Sequence, residues 1–552
     1  MKKNIIKGLA FLALPALLFG ACKKVDITDG VVEVFNVSSS KASVSFQFVD
    51  ANTGQLLDMN GNEDIQIRIG GANAQDVSDN FGAQKYGADL GLLSLSIAES
   101  LIPSENTPVE FTVHATANGY FPSSTDVTLI EEGHTHISVS MVSVNNAPQD
   151  IKVATDLIAG VGSTGEISSD FSLMPAVSNS GTTAEVNIST GTKLMDKNGN
   201  AVSGNIDVEL AYVDPNGENA SLVLPGDLNR AQMDNGEFMT FNTLGAVAMD
   251  MYAGTKEVTN FDTPIQMTIS IPNGATKFDG SAIAAGDDFG VYSYDEENSN
   301  WKLESTETVS MNTTSGLLEV TFDMAHLSAW QVAEGEKTSS GYDYNMVTFN
   351  SNCQDYYLNT SEIIWEYVEE SGSVSHRQTA SFQFGSPMKI VSVISAKANY
   401  ANNVTYKWYK KGNPSDFITA PATYQANPTV NLPDAWCVAE NTPFKILLST
   451  SCPDNPNRIY KPNCFVFAFE EGKFNEFGEW KILGQMKGGE IETSTGVLEK
   501  GKEYTIGCIY QDKLVFLTGT LDNFDLGKVL VDGNDIDLSR PLTNAECSYL
   551  KG

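Results

Sequence analysis

Apolar and polar residues alternate with a period of two over much of the chain. Val44, Phe46 and Phe48 share one face of the run from Ser43 to Val49, and Ile65, Ile67 and Ile69 repeat the pattern. Phe111, Val113 and Ala115 face one way while Thr112, His114 and Thr116 face the other, and Ile137, Val139 and Met141 close the set. Successive side chains of a strand point to opposite sides of a sheet, so this alternation predicts half-buried antiparallel strands. Asn60-Gly61 and Asn198-Gly199 tolerate the positive φ that tight hairpins need. Further strand-like runs are Ile390–Ile394, Phe444–Leu448, Phe465–Phe469, Tyr504–Tyr510 and Leu514–Leu521. Helical spacing is scarce, with short helices expected only around Asn80–Leu101 and Asn359–Tyr367. Many short strands with frequent turns predict an all-β chain of tandem antiparallel β-sandwich domains.

Length sets the number of such units. The chain has 552 residues, enough for roughly three or four domains. Its 41% hydrophobic content is enough for several cores and excludes global disorder. Acidic residues number 69 against 34 basic, a net charge of −35, which repels phosphate backbones and argues against nucleic acid as a partner. The charge is uneven: residues 1–336 carry 15 basic against 44 acidic side chains, and residues 337–552 carry 19 against 25. Gly335-Glu336-Lys337-Thr338-Ser339-Ser340-Gly341 reads as the linker between these parts, and Asn145-Asn146-Ala147-Pro148 as an earlier boundary.

The N-terminus carries an address. A basic head, Met1 to Lys7, precedes an uncharged stretch from Gly8 to Ala21 that is too short to span a bilayer and contains Pro15. Small residues Gly20 and Ala21 precede Cys22, as at a secretory cleavage site. The arrangement resembles the lipobox of bacterial lipoproteins of the Bacteroidota type, although Phe19 stands where Leu is usual. The resemblance implies removal of residues 1–21, acylation of Cys22, a tether over 22–39, and anchoring to the outer membrane through lipid. Lys23-Lys24-Val25-Asp26-Ile27-Thr28-Asp29 loosely resembles a surface-export tether, which implies the cell surface; the periplasmic face is the competing orientation.

Six cysteines remain beyond Cys22: Cys353, Cys437, Cys452, Cys464, Cys508 and Cys547. An even number in an exported chain predicts disulfides, with Cys452–Cys464 as the favoured local pair among 15 connectivities. No Cys-x-x-Cys spacing occurs, so no metal is expected on them.

Residues 40–147 contain Ala117-Asn118-Gly119-Tyr120-Phe121, then Val127-Thr128-Leu129-Ile130 and Ile137 to Val142. They resemble carboxypeptidase-regulatory or transthyretin-like β-sandwiches, which implies a spacer or binding platform. Residues 150–335 contain Gly191-Thr192, Asp196-Lys197-Asn198-Gly199, Pro225-Gly226-Asp227, Thr243-Leu244-Gly245-Ala246, and Tyr294-Asp295-Glu296-Glu297 before Trp301. These resemble the extracellular domain of cartilage intermediate layer proteins. The end, His326-Leu327-Ser328-Ala329-Trp330, resembles the β-sandwich of ankyrins and netrin receptors. Residues 342–552 form one or two disulfide-stapled β domains, with a split near 425–440.

Candidate chemistry is sparse. Gly160-Val161-Gly162-Ser163-Thr164-Gly165 matches G-x-G-x-x-G but lacks the following helix that a phosphate cradle needs, so a loop is expected. His134-Thr135-His136 places two imidazoles at strand spacing without an evident third ligand. Asp58 to Asn62 and Asp196 to Asn200 put glycine at the fourth place of the loop, so both read as turns rather than calcium loops. Asp287-Asp288 and Asp295-Glu296-Glu297 are candidates for a hard cation. The resemblance at His326-Leu327-Ser328 implies a self-cleavage site between Leu327 and Ser328 in some relatives; the competing reading is an ordinary strand. Tyr406 and Trp408 share a strand face and could stack on a sugar or fill a core. Five histidines and the lack of hydrolase, zincin or P-loop motifs argue against an enzyme, and no cofactor is implied.

The reading is therefore a lipid-anchored, non-catalytic binding or scaffold subunit of an envelope assembly, partnered by an outer-membrane protein or another lipoprotein. The first two sandwiches would form an acidic stalk, and the C-terminal part would meet the partner. Alternatives are a glycan-binding adhesion lipoprotein, and a glycoside hydrolase or self-cleaving surface protein.

Overall fold

The computed structural model describes residues 33–36; 41–337 apart from short loop segments between 58 and 105 and between 218 and 255; and, from 344 to 541, the strands and some turns between them. The leader, Cys22, and the turn at Asn60-Gly61 lie outside the described residues. Strands dominate throughout, arranged in several separate sheets, so the chain is all-β.

The first sandwich stacks two sheets. One orders Val77–Ser78, Leu92–Ile97, Ala42–Asp50 and Gly133–Met141; the other orders Gln66–Gly70, Val109–Ala117 and Tyr120–Leu129. Val44, Phe46 and Phe48 lie in its core with Phe111, Val113 and Ala115 from the opposing sheet. Two expectations change here. The helix expected around Asn80–Leu101 gives way to the strand Leu92–Ile97, buried along its whole length between two neighbours. And Ala42–Asp50 runs parallel, not antiparallel, to Gly133–Met141, from Ala42 opposite Gly133 to Asp50 opposite Met141. A parallel pair needs a crossover, which the opposing sheet supplies between them.

The second sandwich is larger. Its inner sheet orders Phe171–Leu173, Ala184–Ile188, Asn260–Ile271, Leu318–His326 and Ser310–Met311. Its outer sheet orders Asn300–Thr308, Asp288–Asp295, Ala329–Lys337, Phe238–Ala253, Gly204–Val213 and Ile151–Val161. Between them lies one apolar core that includes Val208, Leu210, Tyr212, Met267, Ile269, Phe322 and Trp330. Gly245 sits where a β-carbon would come within 2.5 Å of Ile269, and the pairing with Ala329–Lys337 slips between Thr243 and Gly245. The glycine is thus a close crossing between the two sheets.

Turns behave as their chemistry predicts. Gly199 adopts φ 77°, and the Asp196 carboxylate accepts the backbone N–H groups of Asn198 and Asn200, each at 2.9 Å. The Gly160–Gly165 segment ends the strand Ile151–Val161 and turns back, with Gly165 donating to the Gly162 carbonyl.

In the third part, among the described residues, strands between 344 and 431 pair with one another, and strands between 445 and 541 pair among themselves and with Glu33–Asn36. The second expected helix is instead the strand Ile363–Val368. Its Trp365 and Tyr367 stand opposite Trp408 and Tyr406.

Candidate functional site

The outer sheet of the second sandwich has a second apolar face, and the first sandwich covers it. Ala51, Phe121, Val142 and Val144 from the first unit join Ile151, Ala211, Ala246, Ala248, Tyr294 and Trp301 from the second in one buried cluster. The chain between the units is tied down as well. Ala147 packs on this cluster, Asn52 Nδ2 donates to Asn146 Oδ1 at 3.0 Å, and Ile151 N–H donates to the Pro148 carbonyl at 3.0 Å. Domains joined by a small polar contact move relative to one another; a continuous apolar contact holds them as one body.

A polar network borders this contact. His114, on Val109–Ala117, is 6% exposed. Its Nδ1 meets the Ser124 hydroxyl at 2.7 Å and its Nε2 meets the Ser299 hydroxyl of the second sandwich at 2.7 Å. A neutral imidazole has one donor and one acceptor nitrogen, and two hydroxyls satisfy both. Ser299 holds φ 56°, a costly conformation for a residue with a β-carbon, and its hydrogen bond to His114 offsets that cost. Gly70 leaves room for the pair: a β-carbon there would lie 2.2 Å from Ser299 Oγ and 2.9 Å from His114 Nε2. Arg68, from the same strand, donates to the Glu296 carbonyl. Gly226 N–H donates to the Ser124 carbonyl at 3.2 Å, a backbone bond between the sandwiches. The Tyr294 and Trp301 rings pack edge-on at 5.3 Å, and the His114 ring lies 6.3 Å from Tyr294.

The electrostatics of this joint are unusual. Burial first, and Arg68 second, push the His114 pKa down to about 3. Along the outer sheet, Glu209 stands directly opposite Asp250, and Tyr252 opposite Glu257. Burial, then the carboxylates of Glu296, Glu209 and Glu257, push Asp250 up to about 8. Burial also raises Glu209, Glu257 and Glu296, with Arg68 opposing the rise at Glu296. The joint therefore holds a neutral histidine and a set of carboxyls that resist ionisation.

These shifts predict how stability varies with pH. The unfolded chain protonates His114 near 6.5 and the folded chain near 3, so its contribution is intact above 6.5 and lost as pH falls toward 3. Asp250 runs the other way: the unfolded chain ionises near 3.8 while the folded one resists until about 8, so stability falls as pH rises through that window. Urea unfolding of the intact chain, His114→Gln and Asp250→Asn at pH 4.5 and 7.5 separates the two. His114→Gln should flatten the loss on the acid side by about 1–3 kcal/mol, and Asp250→Asn should stabilise at pH 7.5 by at least about 1 kcal/mol, since one pKa unit is about 1.4 kcal/mol. Equal pH slopes in all three chains would contradict both assignments.

As chemistry, the His114 pair is poorly suited to base catalysis. A histidine titrating near 3 is a weak base at neutral pH, and this one has hydroxyls on both nitrogens. Sequence reading placed Thr112 and His114 on the face away from the apolar residues and gave them no role; both are buried, and Thr112 Oγ1 donates to Asp126 at 2.6 Å. Nothing in the local alternation marks that second burial, because the covering surface comes from residues beyond 150.

The residues singled out from the sequence are spread over the fold. His134 and His136 lie on Gly133–Met141, with their side chains outside the described residues. Among the described residues no three His, Cys, Asp or Glu side chains converge as a metal site. The acidic pairs are engaged otherwise. Asp287 accepts Lys277 Nζ at 2.7 Å and the Ala284 N–H at 2.8 Å, and Asp295 laces its own turn through Glu297 and Asn298. Ser328 donates its hydroxyl to the Tyr294 carbonyl at a corner between Leu318–His326 and Ala329–Lys337, where Trp330 stacks on Phe322 at 5.6 Å.

Trp408 is 2% exposed and Tyr409 0%, so neither ring offers a face to a sugar; the side chain of Tyr406 lies outside the described residues. Of the six cysteines beyond Cys22, Cys452 is the one whose side chain is described; it is buried and disulfide-bonded. The side chains of Cys353, Cys437, Cys464, Cys508 and Cys547 lie outside the described residues.

The fold and this joint define a multidomain β-sandwich protein whose first two units form one body. No family model matches the chain, and no curated protein matches it. Among solved structures, it aligns with the Bacillus anthracis TIE protein at 8% identity and TM-score 0.12, covering 72% of this chain and 58% of that one. The major pilin subunit BcpA of Bacillus cereus aligns at 10% identity and TM-score 0.13, covering 91% and 99%. The major pilin RrgB of Streptococcus pneumoniae aligns at 9% identity and TM-score 0.13, covering 91% and 100%. At these TM-scores the likenesses carry no argument about this chain.

Proposed function

We propose that this chain is a lipid-anchored surface lipoprotein that acts as a non-catalytic scaffold or binding subunit of an envelope assembly. The observation that carries the reading is the joint. Two sandwiches that could have hung as separate beads are instead locked by a shared apolar cluster and by the hydrogen bonds of His114 to Ser124 and Ser299. A rigid body of this kind holds a partner at a fixed distance from its anchor, which a catalytic role does not require. Cys22, after a short apolar leader, supplies the anchor, and acyl chains contribute about 0.8 kcal/mol per buried methylene. The net charge of −35 suits a partner of opposite or neutral surface and disfavours anionic polymers.

The test is detergent extraction of native membranes, affinity capture of the tagged chain, and mass spectrometry, with Cys22→Ala beside it. Stoichiometric co-recovery of an outer-membrane protein or second lipoprotein, lost in Cys22→Ala, is the expected result. Recovery of the acylated chain alone would overturn the subunit reading and direct attention to glycan arrays.

A further inference from the structure

The strand Glu33–Asn36 pairs in parallel with Asn455–Lys461, more than four hundred residues later in the chain. Glu33 stands at the register position of Arg458, Val34 of Ile459, Phe35 of Tyr460 and Asn36 of Lys461. The sheet orders Glu33–Asn36, Asn455–Lys461, Thr450–Cys452 and Arg540–Pro541, so every other member comes from the C-terminal unit. Without the N-terminal segment, Asn455–Lys461 would present an open edge of unpaired N–H and C=O groups. Adding an extended segment to such an edge gains main-chain hydrogen bonds in register, the physics by which strands dock on sheets.

A second observation agrees. Ala42–Asp50 and Gly133–Met141 of the first sandwich pack beside Lys481–Met486, and Leu92–Ile97 beside Glu503–Tyr510. These belong to one sheet of the first sandwich. Arg68, Gly70, His114 and Ser124, which meet the second sandwich, belong to its other sheet, and the first sheet reaches the second sandwich only past its strand ends, through Ala51, Val142 and Val144. The first sandwich thus lies between the C-terminal unit and the second sandwich.

We propose that residues 33–36 are a clasp that fastens the anchored N-terminus to the C-terminal unit, so that this unit faces the membrane and the second sandwich projects outward. The orientation deepens the lipoprotein reading and rests on it; the clasp itself does not. Ten residues separate Cys22 from Glu33, a reach of at most about 40 Å when extended. The C-terminal unit, expected from its milder charge, aromatic content and position to meet the partner, is then the part nearest the lipid. The outward module is the strongly acidic second sandwich.

The first experiment places a photo-reactive benzoylphenylalanine at Phe35 in the full chain. Cross-linked peptides containing 455–461 are the expected result; cross-links only to other segments would overturn the clasp, whether or not the lipid is present. The second follows hydrogen exchange of the full chain and of Val34→Pro and Phe35→Pro. Amides of 458–461 should exchange at least tenfold faster in one or both variants, with those of 109–117 unchanged, and a peptide of residues 31–38 added in trans should restore protection. Unchanged exchange at 458–461 in both variants would overturn the proposal. The mass of the mature N-terminus tests the anchor separately: an unacylated Cys22 removes the membrane orientation and leaves the clasp to be judged by the cross-link.

Discussion

Replacing Phe121 with alanine is expected to destabilise the chain by about 3–5 kcal/mol and to break one unfolding transition of the first two sandwiches into two. Phe121 is 1% exposed and belongs to the cluster shared by both units. Its backbone N–H donates to the Val142 carbonyl at 3.0 Å, which fixes the ring against the chain segment that leads into the second sandwich. Truncation removes the transfer free energy of a benzyl group and leaves a cavity that two sheets on different units cannot easily close. The loss falls on the contact between the sandwiches, because neither separate core contains this residue. Differential scanning calorimetry of the intact chain is the measurement. A Phe121→Ala chain whose first two sandwiches still melt together, within about 1 kcal/mol of the parent, would show that the cluster does not couple them.

The second large effect is expected at Gly70. A single methyl group there meets Ser299 Oγ at 2.2 Å and His114 Nε2 at 2.9 Å, so Gly70→Ala must displace one or both. Overpacking of this kind costs about 1–3 kcal/mol. Each hydrogen bond lost from His114 adds about 0.5–1.5 kcal/mol, and more where a buried partner is left unsatisfied. Ser299 would then keep its φ of 56° without the bond that offsets it. Limited proteolysis should cut the Gly70→Ala chain between the sandwiches, near 145–148, at a rate at least tenfold above the parent. Gly133→Ala serves as a control, because φ 132° strains it in open space at the start of Gly133–Met141, the end of that strand away from Val142 and Val144. Equal cleavage of the parent and Gly70→Ala would remove the joint as the element that stiffens the linker.

The joint was not legible in the sequence for a definable reason. Period-two alternation reports that Phe111, Val113 and Ala115 share a face, and the structure places them in the first core. It cannot report that Thr112 and His114, on the reverse face, are covered too. At His114 that covering comes from Ser299 and Tyr294, far downstream in the chain, and nothing on the strand Val109–Ala117 marks their approach. The boundary at Asn145–Pro148 was visible as a cluster of turn residues, yet whether such a segment is a hinge or a fixed bend depends on what packs around it. Likewise, Asp250 carries no local signal. Its resistance to ionisation comes from burial and from Glu209 placed opposite it by strand register, with Glu296 and Glu257 brought near by the fold.

Where short windows misled, longer-range pairing overrode them. The stretch Asn80–Leu101 was expected to hold a short helix. In the fold, Leu92–Ile97 is an interior strand, flanked by Val77–Ser78 and Ala42–Asp50; Leu93, Leu95 and Ile97 alternate with Ser94 and Ser96 and enter the first core, so the strand period was present within the window read as helical.

The sequence by itself determined the all-β class, the positions of several strands of the first and third parts, the turn at Asn198-Gly199 and the acidic composition. These follow from local physics, since side-chain periodicity and turn conformation are fixed within a few residues. Only the tertiary structure decided that the first two sandwiches form one body, that His114 is buried and neutral, and that Glu33–Asn36 closes a sheet of the C-terminal unit. Those features arise from contacts between segments far apart in the chain, and no window of sequence contains both sides of such a contact.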